Sequence, residues 1–252
     1  MDGARWRVGR RRRGRARVVR RARSRRDETA PLRPVAQRLR RGDRRIAREL
    51  GVRARCGGKR GEIQLLGGHV TDLGALRIET ERLILRLPRI DDFERYAELF
   101  GHEVSRGIGG PHARGDAWRR FLQMPGAWMV QGFGMFSVIE KSSGLWVGQA
   151  GPWMPNGWPG TEVGYAFHPD AHGKGYCTEA CVAAIDWAFD TLGWTDVIHC
   201  ISPENVASQN VAKRLGSYNR GPGTLPPPLN AHAIDLWGQT REEWRARRGA
   251  FA

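Results

Sequence analysis

Hydrophobic residues are sparse and unpaired through the first 70 positions of this 252-residue chain, and from Leu76 onward they fall into short periodic blocks. Positions 78–87 alternate, with Leu83, Leu85 and Leu87 on one face, which predicts a strand ended by Pro88. Asp91 or Asp92 then caps a helix that turns Phe93, Tyr96, Ala97, Leu99 and Phe100 inward. A glycine-rich loop over 101–112 leads to a short helix, 115–123, with Trp118, Phe121 and Leu122 inward. Apolar runs at 128–130, 134–140 and 145–152 predict three strands, the last two joined by the turn Lys141-Ser142-Ser143-Gly144. After a loop over 155–160, Glu162–Phe167 is too short for a helix and reads as a central strand. His168-Pro169-Asp170-Ala171 breaks it, because Pro169 cannot continue a ladder. From Thr178 the period becomes helical, with Ala180, Val182, Ala183, Ile185, Trp187, Ala188 and Phe189 apolar. A strand at 196–201, a helix carrying Val206, Val211, Ala212 and Leu215 and closed by Gly216, and a strand hairpin at 217–221 and 233–237 follow. A charged helix from Thr240 ends the pattern.

Charge divides the chain at the same boundary. Residues 1–70 hold 24 Lys and Arg against 6 Asp and Glu, a net +18, and the remaining 182 residues hold 18 against 20, a net −2. The formal +16 of the whole chain is therefore a property of its first quarter, where arginine runs such as Arg10-Arg11-Arg12-Arg13 dominate. With so few apolar residues, residues 1–70 cannot offset their ordering entropy and are expected to be a disordered basic arm, apart from a short helix near 35–50. Three readings stand for it: an arm that binds nucleic acid with steep salt dependence, an acid-poor transit segment, or a stretch that is not translated. Lysine occurs once here, at Lys59, and arginine outnumbers it along the whole chain, which is a coding bias as much as a binding signature. The last reading puts the functional start near Val70, leaving 71–252 as the working domain.

Other classes are excluded by what the residues lack. No apolar run approaches the ~18 residues of a membrane span, and the N-terminus has no apolar signal core. Cys56, Cys177, Cys181 and Cys200 form no Cys-x-x-Cys pair and read as reduced thiols of a cytoplasmic protein. His168 and His172 are four apart with Pro169 between them, so they do not make a helical zinc pair, and no metal is expected.

Candidate chemistry concentrates between Glu162 and Ala188. A strand feeds the loop His172-Gly173-Lys174-Gly175-Tyr176-Cys177, which opens directly into a helix. The first helical turn has backbone N–H groups without intrahelical partners and about half a positive charge from the macrodipole. With no Cβ at Gly173 and Gly175, an anion such as a pyrophosphate can approach those donors. Neither common phosphate signature fits, since Lys174 is followed by Gly175 rather than Ser or Thr, and Thr178 stands where a dinucleotide fingerprint needs its third glycine.

The stretch resembles motif A of the GNAT superfamily of N-acetyltransferases, Gln/Arg-x-x-Gly-x-Gly/Ala. His172 stands at the Gln/Arg position, Gly175 at the first glycine and Cys177 at the Gly/Ala position. The longer string Gly173-Lys174-Gly175-Tyr176-Cys177-Thr178-Glu179-Ala180 is similar to that of the RimJ/RimL-like branch, as are the opening Thr80-Glu81-Arg82-Leu83 and the Asp91-Asp92 helix. The resemblance covers about two-thirds of the chain. It implies the α/β GNAT fold: a mixed, mostly antiparallel sheet with a central splayed strand pair, flanked by helices.

The same resemblance implies acetyl-CoA as co-substrate and direct transfer to a primary amine in a ternary complex. Such chemistry needs the pyrophosphate held, the thioester carbonyl polarised, the amine deprotonated and the leaving thiolate protonated. The loop of His172, Gly173, Lys174, Gly175, Tyr176 and Cys177 corresponds to the pyrophosphate site, and the backbone at Phe167 and His168 to the pantetheine and thioester site, where strand splay leaves amides unpaired. Glu162 stands where some relatives place a catalytic base, and equally reads as a strand-end carboxylate. Asn205-Val206-Ala207-Ser208 is similar to the family's Asn-x-x-Ser. There Asn205 would bind the pantetheine amide or simply cap a helix, and Ser208 would protonate the sulfur. Many relatives use a tyrosine four residues later, where this chain has Ala212. The acceptor expected is a protein N-terminal amine or a small-molecule amine, for a monomer or homodimer. Two rival functions remain: an acyl-CoA-binding module without turnover, and a nucleic-acid-associated protein acting through the basic arm. Trp118, Trp128, Trp146, Trp153 and Trp158 could line a substrate cleft, but such aromatics are more often core, and none is taken as a site residue.

Overall fold

The computed structural model describes residues 75–251, and the expectations for residues 1–70 lie outside that range. Eight strands form one sheet in the order β1-β2-β3-β4-β5-β6-β8-β7. They are β1 (Arg77–Glu79), β2 (Leu83–Arg86), β3 (Phe136–Glu140), β4 (Trp146–Trp153), β5 (Glu162–Phe167), β6 (Asp196–Ile201), β7 (Tyr218–Gly223) and β8 (Ile234–Thr240). Five helices flank them: α1 (Phe93–Gly101), α2 (Arg114–Gln131), α3 (Tyr176–Asp190), α4 (Val206–Leu215) and α5 (Arg241–Arg247). Every neighbouring pair is antiparallel except β5 and β6, which run parallel and share a single rung, Glu162 opposite Ile198. This is the mixed, mostly antiparallel sheet with a splayed central pair that the sequence led us to expect.

The central strands are buried on both faces, which is why they read as continuous apolar runs. On one face α3 packs Ala180, Ile185, Ala188 and Phe189 against Leu83, Leu85, Phe136, Val138 and Val163. On the other, α1 and α2 pack Phe93, Tyr96, Leu99, Phe100 and Phe121 against Ile139, Trp146 and Ala166. Strand alternation divides β5 between these layers: Val163, Tyr165 and Phe167 face α3, and Ala166 faces α1.

Four expectations are corrected. The run 78–87 is two antiparallel strands, because Thr80 turns the chain and its amide bonds the Leu83 carbonyl at 3.0 Å. Residues 128–130 are the last turn of α2, not a strand. The helix continues through Pro125, giving up one main-chain bond, because Ala117, Phe121, Met124 and Trp128 recur at helical spacing and bury together. The Trp128 indole donates to the Met135 carbonyl at 3.0 Å and so fixes the exit into β3. Helix α3 begins at Tyr176 rather than Thr178, with Gly175 as its N-cap, and β8 runs on to Thr240. Thr240 then starts α5 with a reciprocal capping box to Glu243.

Candidate functional site

The single rung between β5 and β6 organises the site. The Ile198 amide bonds the Thr161 carbonyl at 3.0 Å, so a regular parallel ladder would next join the Cys200 amide to the Val163 carbonyl. Both groups are served by side chains instead. The Cys200 amide donates to the Glu162 carboxylate at 3.2 Å, and His199 Nδ1 donates to the Val163 carbonyl at 2.7 Å. Each strand lends a side chain to the other's backbone, so these two groups are satisfied while the gap stays open.

Beyond that point alternation turns the amides of Tyr165 and Phe167 toward the gap. The His168 amide is spent on the Val147 carbonyl at 2.9 Å, which corrects its expected place among the unpaired donors. The His168 ring also turns away, toward Arg95, Asp170 and Glu98, with Nδ1 accepting from Arg95 at 3.0 Å. The amide the sequence reading missed is Tyr165, whose ring also carries a hydroxyl that donates to the Ser208 carbonyl at 3.0 Å.

Glu162 is buried on the wall of a cavity of about 600 Å³. Burial pushes its pKa up to about 7, against hydrogen bonds from the Trp158 indole at 2.5 Å and from Cys200. A carboxylate so poised can take a proton near neutrality. Behind it, burial lowers the His199 pKa to about 4, so the ring is neutral. Since Nδ1 donates to Val163, Nε2 must accept, and Ser217 Oγ donates to it at 3.1 Å. Gln239 Nε2 in turn donates to Ser217 Oγ at 3.1 Å and to the Leu215 carbonyl at 3.0 Å.

The glycine loop has the backbone an anion cradle requires. Gly173 and Gly175 lie at φ of +75° and +81°, where a side chain strains the chain. The first α3 bond formed is Glu179 N–H to Gly175 C=O, leaving the amides of Tyr176, Cys177 and Thr178 without intrahelical partners. His172 Nε2 donates to the Phe167 carbonyl at 3.0 Å, tying loop to strand. Lys174 is exposed, whereas the Tyr176 side chain is buried, its hydroxyl donating to Glu140. Cys177 packs beside Cys181 in the α3 core.

The β1–β2 turn holds this loop from outside. The Glu179 carboxylate accepts from Thr80 Oγ1 at 2.5 Å, the Arg82 amide at 2.8 Å and Arg82 Nε at 2.7 Å. Arg82 Nη1 then reaches the Lys174 carbonyl at 2.9 Å. Burial raises the Glu179 pKa, but these donors outweigh it and the net shift is downward.

From the other side of the gap, α4 brings Asn205 and Ser208 into the 600 Å³ cavity with Glu162. Asn205 does cap α4, its Oδ1 accepting from the Ser208 amide at 3.1 Å, while its Nδ2 packs against Gly107, where any Cβ would come within 2.3 Å. Ser208 Oγ is half-buried and makes no hydrogen bond among the described residues. Also among them, no group of His, Cys, Asp and Glu is placed to hold a metal, and no helix is long and apolar enough to cross a membrane.

Residues 82–217, over half of the chain, match the profile of the acetyltransferase (GNAT) domain. The chain is 33% identical over 60 residues to the uncharacterized N-acetyltransferase YnaD of Bacillus subtilis, covering 24% of this chain and 35% of that protein. It is 27% identical over 146 residues to the uncharacterized N-acetyltransferase p20 of Bacillus licheniformis, covering 56% of this chain and 82% of the relative. For YnaD and a second B. subtilis relative, YkkB, the match spans only about a third to a half of the relative's length. Among solved structures, the acetyltransferase from Agrobacterium tumefaciens str. C58 superposes with a TM-score of 0.58 at 28% identity, over 71% of this chain and 99% of its own. The ribosomal-protein-S5-alanine acetyltransferase from Vibrio fischeri shares the fold, with a TM-score of 0.54 at 20% identity over 67% of this chain and 98% of its own.

Proposed function

The chain belongs to the GNAT acetyltransferase family, and from that premise we propose that it moves an acetyl group from acetyl-CoA to a primary amine by direct attack in a ternary complex. Acetyl-CoA, when bound, supplies the acetyl group activated as a thioester. The chain's own residues do the rest. The amides of the 172–177 loop, with Gly173 and Gly175 keeping Cβ atoms out of their way, hold the pyrophosphate. Phe167, with the Tyr165 amide in place of His168, offers donors along the open edge of β5 to the pantetheine and the thioester carbonyl, and Asn205 meets the pantetheine from α4. Glu162 takes the amine proton, directly or through a water. Ser208 Oγ gives a proton to the leaving sulfur. The acceptor is a protein N-terminal amine, as the Thr80–Leu83 and Gly173–Ala180 resemblance to the RimJ/RimL-like branch implies, or else a small-molecule amine.

One observation carries this reading: a buried carboxylate with a pKa near 7 shares a cavity with a free serine hydroxyl, at the point where the sheet leaves its amides open. The test is thiol release from acetyl-CoA by the full chain against amines and N-terminal peptides. Ser208→Ala is expected to lower kcat by tenfold or more with little change in acetyl-CoA affinity, because its donor acts only as the sulfur leaves. Full activity in that variant removes Ser208 from the mechanism. Acetyl-CoA binding without turnover of any amine would make the domain a binding module.

A further inference from the structure

The acceptor cavity holds a second polar centre that the transfer chemistry leaves unused. Arg120, on α2, lines the same 600 Å³ cavity as Glu162 and Ser208. Its guanidinium lies over the Phe100 ring, 5.1 Å from the centroid. Two more polar side chains surround that ring: Tyr96, its centroid 4.4 Å away, and His112, stacked at 6.1 Å. Arg120 Nε, the Tyr96 hydroxyl and His112 Nε2 are all shut from solvent, and none has a hydrogen-bond partner. Tyr96 is only 1% exposed.

Arg120 also makes no ion pair among the described residues. The one carboxylate a helical turn behind it, Asp116, is bonded to Arg119 instead. The guanidinium reaches the Ile108 carbonyl from Nη2 at a long 3.5 Å and lies close to the Tyr96 hydroxyl, and neither neighbour is an anion. Its charge is felt by both neighbours: burial raises the Tyr96 pKa to about 12 and lowers that of His112, and Arg120 acts on each. A half-buried cation without a carboxylate partner is costly unless an anion joins it.

Building on the acetyl-transfer reading, we propose that Arg120 forms a subsite for a compact anionic group of the acceptor, so that the preferred acceptor is an amine that also carries a carboxylate. The guanidinium fork supplies paired N–H donors, while Glu162, which lines the same cavity, receives the amine.

The experiment uses the full chain with saturating acetyl-CoA and probes that differ only in charge: dipeptides with a free C-terminal carboxylate against their C-terminal amides. Binding by calorimetry and turnover by thiol release are measured separately. The carboxylate forms are expected to bind at least about tenfold more tightly. Arg120→Met should erase that preference through KM, and Arg120→Lys, which keeps the charge without the fork, should retain part of it. Carboxylate-selective binding without turnover of any amine would uphold the subsite and reject acetyl transfer. Equal binding of acid and amide, or a preference unchanged in both Arg120 variants, would overturn the subsite whatever the turnover.

Discussion

Glu162 and His199 each serve a backbone group of the opposite strand, and burial moves their pKa values in opposite directions, to about 7 and about 4. For a base at Glu162, activity should rise with pH through about 7, and Glu162→Gln should flatten that limb; an unaltered profile in the variant would take Glu162 out of proton transfer. Stability responds differently at the two residues. Glu162 binds its proton more tightly folded than unfolded, so stability falls as pH rises from the ordinary carboxylate range to about 7, by up to ~3 kcal/mol. His199 resists its proton in the fold, so stability falls by a similar ~3 kcal/mol as pH drops from about 6.5 toward 4. The two slopes oppose each other between about pH 4.5 and 6.5. Urea midpoints should therefore move less there for the natural protein than for either single variant. They should drop on the acid side for Glu162→Gln and on the neutral side for His199→Asn. Equal slopes in all three proteins would show that neither group titrates as its burial implies. Of this pair only Glu162 was legible in the sequence, by its place at the strand's start. His199 reads as one polar residue in a strand, and nothing in its spacing reveals that it faces Val163, Ser217 and Gln239.

Among the elements, the strand–loop–helix unit of β5 and α3 was legible because its signals are local: a short apolar run, Pro169, glycines at forced conformations, then a helical period. What fixes the unit is not local. Glu179 meets Thr80 and Arg82 some 97 to 99 residues away, a contact no period encodes. Helix α2 was cut short for the opposite reason, a local stop signal at Pro125 overruled by tertiary burial of Trp128. Because Arg82 bridges Glu179 and the Lys174 carbonyl, the β1–β2 turn sets the position of the loop that would hold the pyrophosphate. Glu179→Gln, which keeps the shape and removes the charge, is expected to weaken acetyl-CoA binding by roughly tenfold while kcat at saturation stays close to normal. Calorimetry returning an unchanged Kd would mean that the loop holds its geometry without the turn.

As a whole molecule, the described part is one sheet of two antiparallel halves, β1 to β5 and β6-β8-β7, joined at one parallel rung. Glu162 and the glycine-loop unit belong to the first half, and Asn205 and Ser208 follow the first strand of the second. Neither half holds a complete set of groups for the proposed reaction. The halves need only part, not unravel, for activity to end. In increasing urea, turnover is therefore expected to fail at a lower concentration than the far-ultraviolet circular dichroism of the strands and helices, and added acetyl-CoA, lying across the junction, should bring the two losses together. Coincident losses without ligand would show that the junction is as firm as the halves it joins. On this account the seam between the halves is also the place of the proposed chemistry, and acetyl-CoA, when bound, would temporarily fasten it.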